Sequence, residues 1–135
     1  VDHVGLAVPD LDEAVAFYER TFGLRCVHVE TNEDAGVREA MLAVGDGDTQ
    51  VQLLAPLTPE STIARFLDRH GPGIQQVAYT VDDLAAVSAE LRARGVRLLY
   101  DEPRRGTAGT VINFVHPKDA AGVLVELVEH PGSEA

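Results

Sequence analysis

Four polar residues interrupt apolar, strand-like runs at matched places in this chain. His3 stands in VDHVGLAV and Gln76 in IQQVAYTV; Gln52 stands in TQVQLLAP and Glu126 in GVLVELVE. His3 and Gln76 lie 73 residues apart, Gln52 and Glu126 74. A polar group in a buried sheet face costs free energy unless something satisfies it. If two curved sheets face each other about a pseudo-twofold, the four side chains converge in one cleft. One imidazole nitrogen and three oxygen donors suit a divalent ion of intermediate hardness: Co2+, Mn2+, Ni2+, Zn2+ or Mg2+. Only Glu126 among them is anionic, so the ion would keep much of its charge and act as a Lewis acid towards substrate oxygens. Glu39 is a fifth candidate. It breaks the apolar pattern of VREAML beside the strand that carries Gln52.

The elements that must position these residues come as a repeat. HVGLAVPDLDEAVAFYERTFGLR from His3 and QVAYTVDDLAAVSAELRARGVR from Gln76 each read as strand, Asp-rich turn, helix and second strand. Asp10 and Asp83 are placed as N-caps, and Gly23 and Gly95 end the helices. Leu11, Val15 and Tyr18, then Leu84, Val87 and Leu91, fall at helical spacing. Two more strands follow in each half, GVREAML with TQVQLLAP and TVINFVH with GVLVELVE; this match sets Glu39 opposite Asn113. The expected fold is α+β: two tandem strand-helix-strand-strand-strand modules, forming a cup-shaped mixed sheet with helices outside. The predicted boundaries are 1–57 for module one, a linker helix within 58–72, and 73–131 for module two, all within a single domain over 1–135.

Composition excludes several classes of partner. With 22 acidic against 11 basic residues and a net charge of −11, the chain lacks the positive field that nucleic acid or anionic membrane requires. No apolar run is long enough to cross a bilayer, and the strand-like start at Val1 argues against a signal peptide. The single cysteine, Cys26, cannot pair within the chain, which fits a reducing cytoplasm. An anionic substrate would therefore need local cations. Arg104, Arg105 and Lys118 are candidates; solvated loop charges are the simpler alternative. His28, His70, His116 and His130 have no partners in the repeat and read as structural or solvated.

The stretches DHVGLAVPDLDEAVAFY, ETNEDAGVREAML, VQLLAPLTPESTIARFL, GVRLLYDEPRRGTAG and INFVHPKDAAGVLVELVE resemble the vicinal oxygen chelate superfamily, and within it the methylmalonyl-CoA epimerases. The resemblance runs through nearly the whole chain. It implies a metal site built from His3, Gln52, position 76 and Glu126, Co2+ first among the candidate ions. The thioester carbonyl and the carboxylate of methylmalonyl-CoA would chelate it. It also implies Glu39 as a catalytic acid/base, with Glu126 or a metal-bound water as the second. The reaction would be (2R)/(2S) interconversion through a metal-chelated enolate, in propionate metabolism. Contacts to the CoA tail would fall to Arg104, Arg105 and Lys118.

This chain departs from the family at Gln75 and Gln76, where two histidines are usual and the second is the ligand. An amide oxygen is a weaker donor than imidazole towards Co2+, Ni2+ or Zn2+, so looser binding or a preference for harder ions is expected. The alternatives are another enzyme on the same scaffold, glyoxalase-like, or a non-catalytic small-molecule binder. A ring-cleaving dioxygenase would want two histidines, and a glyoxalase a second acid at position 52. Apolar strand edges and the family analogy suggest a homodimer.

Overall fold

In the computed structural model, residues 1–132 are described; the last three residues of the expected domain, 133–135, lie outside them. The chain divides into two compact units, His3–Gln75 and a second made of Val1–Asp2 with the chain from Gln76 onwards.

The first unit contains β1 (His3–Ala7), α1 (Leu11–Phe22), β2 (Arg25–Asn32), β3 (Val37–Ala43), β4 (Gln50–Pro56) and α2 (Thr62–His70). Its strands lie in the order β2-β3-β4-β1, antiparallel except for the parallel β1–β4 pair. Helix α1 starts where the Asp10 carboxylate accepts from Glu13 N at 3.0 Å and ends at Gly23, whose φ of 71° suits glycine. Its apolar stripe packs Leu11, Ala14, Val15 and Tyr18 onto Leu42, Leu53, Ala40 and Ala55 of one sheet face. The opposite face carries Val37, Glu39, Met41, Leu54, Gln52, Gly5 and His3, as the strand register requires. Helix α2, capped by Ser61 accepting from Ala64 N at 3.1 Å, sets Ile63, Phe66 and Leu67 against Ala7, Val37 and Leu54 at one end of that face. The expected linker helix is thus packed into the first unit. Gly36 lets the β2–β3 turn reach it: a Cβ there would stand 2.9 Å from Ser61 Cβ.

The second unit repeats the topology. After β5 (Gly73–Thr80), which enters it at Gln76, come α3 (Leu84–Ala93), β6 (Arg104–Arg105), β7 (Val111–Val115) and β8 (Val125–Glu129). The order is β5-β8-β7-β6, again with one parallel pair, β5–β8. Asp83 caps α3 by accepting from Ala86 N at 3.0 Å, and Leu84, Val87 and Leu91 pack on Val115 and Leu127. The fold class is mixed α+β, as predicted.

Two local expectations need correction. The strand expected directly after α3 is reduced to a bridge between Leu98 and Val115 and the two-residue β6. Between them the buried Asn113 side chain replaces a ladder partner: its Oδ1 accepts from Tyr100 N at 3.2 Å and its Nδ2 donates to Tyr100 O at 3.0 Å. Pro103, which has no N–H, follows. Nor is Asn113 the counterpart of Glu39. Met41 is the register partner of Gln52 and Phe114 that of Glu126, so the counterpart of Glu39 is Ile112. Asn113 lies on the face that packs α3; a one-residue slip moves a side chain to the opposite face.

Candidate active site

In the first unit three buried polar side chains share the face that α1 does not cover. His3, Glu39 and Gln52 are each 3% exposed. Gly5 lies beside Gln52 and Met41 opposite it, so alternation brings His3, two residues before Gly5, and Glu39, two before Met41, to the same side. Gln52 Nε2 donates to Glu39 Oε2 at 3.1 Å. A carboxylate only accepts, so this contact fixes the amide with its NH2 towards Glu39 and its carbonyl on the other branch. In the second unit Gln76 and Glu126 are buried together, and Gln76 Nε2 donates to Glu126 Oε1 at 3.3 Å. Here too the amide turns its nitrogen to a carboxylate.

Within each unit these side chains are of metal-donor type: in the first, His3 offers an imidazole nitrogen and Gln52 an amide carbonyl; in the second, Gln76 offers an amide carbonyl and Glu126 a carboxylate. These are intermediate and hard donors suited to a divalent first-row ion or Mg2+. Among the described residues, no three His, Cys, Asp or Glu side chains group as metal ligands. Amide side chains such as those of Gln52 and Gln76 do not count towards such a group.

A pair that strand alternation alone hides joins Glu39 on its face. In RCVHVETN, strict alternation would put Cys26, His28 and Glu30 on one side. The β2–β3 register shifts between Cys26 and His28, so Val27 is an extra residue in the ladder. Cys26 then stays in the α1 core, while His28 faces with Met41 and Glu30 with Glu39. Directly opposed carboxylates repel. Each here has its own donor group: His28 Nε2 lies 2.5 Å from Glu30 Oε1, and Gln52 serves Glu39. The only sequence signal was the mismatch of a core-type cysteine and a glutamate at one alternation phase.

The remaining candidates lie elsewhere. Arg104 and Arg105 are exposed on β6, Arg104 stacked 3.8 Å from the centroid of the Tyr100 ring. Lys118 lies past the far end of β7, in the short helix Pro117–Asp119, so the three cations do not form one cluster. His116 Nδ1 accepts from Lys118 N, and His130 pairs with Asp2; both are structural. His70 stacks on Phe66 with ring centroids 4.8 Å apart. Near Lys118, Asp119 accepts from the Arg97 guanidinium at 2.9 and 3.0 Å and from Arg97 N at 2.9 Å. These contacts, the side-chain bond first, hold the Asp119 carboxyl well below the usual carboxylate range and raise Arg97.

Residues 2–114 match the family model of the glyoxalase/bleomycin resistance protein/dioxygenase superfamily, and the chain belongs to that superfamily. An ethylmalonyl-CoA/methylmalonyl-CoA epimerase of Cereibacter sphaeroides is 38% identical over 94% of this chain and 95% of its own. The crystal structure of methylmalonyl-CoA epimerase from Mycobacterium tuberculosis is 58% identical, covers 95% of this chain and 85% of that one, and superposes with a TM-score of 0.93. A methylmalonyl-CoA epimerase in complex with methylmalonyl-CoA and NH4+ is 45% identical, covers 100% of this chain and 96% of that one, and also gives 0.93. These three relatives are epimerases of malonyl-type CoA thioesters, isomerases of the racemase and epimerase class, and the α+β fold is the glyoxalase-like one they share with this chain. Among the described residues, no helix is long and apolar enough to cross a membrane.

Proposed function

We propose that this protein interconverts the (2R) and (2S) epimers of methylmalonyl-CoA. The observation that carries this reading is Glu39, a carboxylate buried on the sheet face opposite α1 and oriented by the Gln52 amide, in a chain 58% identical to an epimerase of this class. The substrate carbon lies between a thioester carbonyl and a carboxylate, so its proton is acidic enough for a positioned carboxylate to remove. Glu39 takes that proton. The C–H electron pair moves into the thioester to give an enolate, and a proton returned to the opposite face completes the inversion. We assign that return to Glu126, which enters the cycle carrying a proton and, having given it up, is left as the carboxylate that Gln76 holds, while Glu39 keeps the proton it took. Gln52 orients the Glu39 carboxylate by donating to its Oε2.

His3, Gln52, Gln76 and Glu126 would hold a divalent ion, Co2+ first and Mn2+, Ni2+, Zn2+ or Mg2+ as alternatives. Bound there, it supplies Lewis-acid stabilisation of the negative charge developing on the substrate oxygens. Two accompanying readings belong to the same proposal. A homodimer is supported by exposed Phe17 and Phe22 on α1 and exposed Val27 and Val29 on the edge strand β2. A cytoplasmic setting is supported by Cys26, a free thiol.

The test is exchange of the α-proton in D2O, followed by NMR, with methylmalonyl-CoA and each candidate ion. Glu39→Gln is expected to slow exchange by about 10²- to 10⁴-fold, the range of a lost general base. No exchange by the unsubstituted protein with any ion refutes the epimerase reading.

A further inference from the structure

Helix α2 serves two tasks, with Phe66 shared between them. Ile63, Leu67 and one side of Phe66 pack into the apolar cluster with Leu54, the register partner of Glu39. Its outer side, with Gln75 from the start of β5, lines a cleft of about 270 Å³ formed by Thr62, Arg65, Phe66, Arg69, His70 and Gln75. Both rows of the helix recur at i, i+4. Arg65 and Arg69 are successive cations, and Phe66 and His70 are stacked rings. Arg65 is fixed by donating to Glu60 O at 2.9 Å.

The cleft gathers two cations of this acidic chain on one helix side. Arg38, Arg94 and Arg97 are paired with carboxylates. Among the described residues, neither Arg65 nor Arg69 is. Asp68, the sole carboxylate of α2, does not line the cleft. Two arginines without a counter-ion, one turn apart beside an aromatic wall, match an aromatic base carrying phosphate: guanidinium forks bind phosphate oxygens and rings stack on a purine. The volume falls just under the roughly 300 Å³ at the small end of whole-ligand pockets, so the cleft suits one end of a larger ligand. Phe66 joins the cleft to the cluster next to Glu39, because the same ring packs against that cluster and lines the cleft.

We propose that this cleft binds the phosphorylated nucleotide end of the acyl-CoA substrate, with phosphate on Arg65 and Arg69 and the adenine against Phe66 and His70. The two glutamines of IQQ then divide by strand alternation: Gln76 turns to Glu126 and Gln75 to the nucleotide. The inference rests on the CoA-thioester reading above, and its test is separable from it.

The probe is adenosine 3′,5′-bisphosphate, the nucleotide end without the reacting arm, titrated calorimetrically into the whole protein. It is expected to bind, to be displaced by CoA, and to bind at least about tenfold more weakly to Arg65→Ala/Arg69→Ala, as the loss of charge-assisted contacts implies. Should the double variant melt early, the single Arg69→Ala variant gives the same comparison. The proposal is overturned if the unsubstituted protein does not bind the bisphosphate, if the variants bind it equally well, or if binding is lost instead in Arg104→Ala/Arg105→Ala. Bisphosphate binding without α-proton exchange would leave this cleft standing and remove the epimerase reading; exchange without bisphosphate binding would do the reverse.

Discussion

Replacing Asn113 by Leu separates the register of the second unit from the role the repeat alone suggests. The Asn113 side chain is fully buried and makes three hydrogen bonds: two with the Tyr100 backbone and one from Phe114 N to Oδ1 at 2.8 Å. Leucine has similar volume but neither donor nor acceptor. Each lost bond costs about 0.5–1.5 kcal/mol net, and stranded backbone groups add to this unless water reaches them. Tyr100 is half-buried, so partial rescue by water is expected, and the total comes to about 3 kcal/mol. For a chain of this length, that lowers the melting temperature by about 12 °C. Asn113 lies on the face that packs α3, away from the face that holds Gln76 and Glu126. Exchange at the substrate α-carbon, assayed well below the lowered midpoint, should therefore remain near that of the unsubstituted protein. An unchanged melting temperature would refute the bonding argument. Loss of exchange in a folded variant would refute the register assignment and return Asn113 to the site as the counterpart of Glu39.

Gln76→His places an imidazole at the proposed donor position where the family resemblance leads to the expectation of a histidine. Calorimetric titration should show Co2+, Ni2+ and Zn2+ binding tightened by about tenfold or more, with little change for Mg2+; equal affinities would remove position 76 from the ligand set. For the Arg97–Asp119 clamp, the folded pKa of Asp119 lies below its unfolded value. Its contribution to stability is therefore fully present above about pH 4 and is lost only as pH falls towards the folded value. NMR titration of the Asp119 carboxyl should show no protonation in the ordinary carboxylate range, and Arg97→Ala should bring its midpoint back into that range.

Much of the architecture is written locally. Asp10, Asp83 and Ser61 cap helices because a short acceptor can reach the N–H three residues on, whatever lies beyond. The period-two pattern likewise shows that His3, Gln52, Gln76 and Glu126 break apolar strands. What it does not carry is phase between strands. The matched offsets of 73 and 74 differ by one residue, enough to exchange Ile112 for Asn113 as the counterpart of Glu39. The bulge at Val27 is a similar case: its cause lies in pairing with β3, and it alone turns His28 and Glu30 to the face of Glu39. The α2 cleft was hidden for another reason. On a sequence, Arg65, Arg69 and His70 read as the solvated side of an amphipathic helix; only the position of Gln75 across from them makes a walled space.

The arginines of that cleft sit within a strongly acidic molecule, and this has a kinetic consequence. An anionic thioester approaching from solvent meets the far field of a protein carrying a net −11, which slows encounter. Attraction comes from Arg65 and Arg69 at short range, where direct contact outweighs the net charge. At an ionic strength near 0.01 M the repulsion extends roughly 30 Å, and near 0.15 M only about 8 Å, whereas direct guanidinium–phosphate contacts are screened far less. Over that range, added salt should hasten substrate capture, the reverse of charge-steered association. Selectivity among anions then resides in the short-range geometry of α2, because the long-range field repels them all.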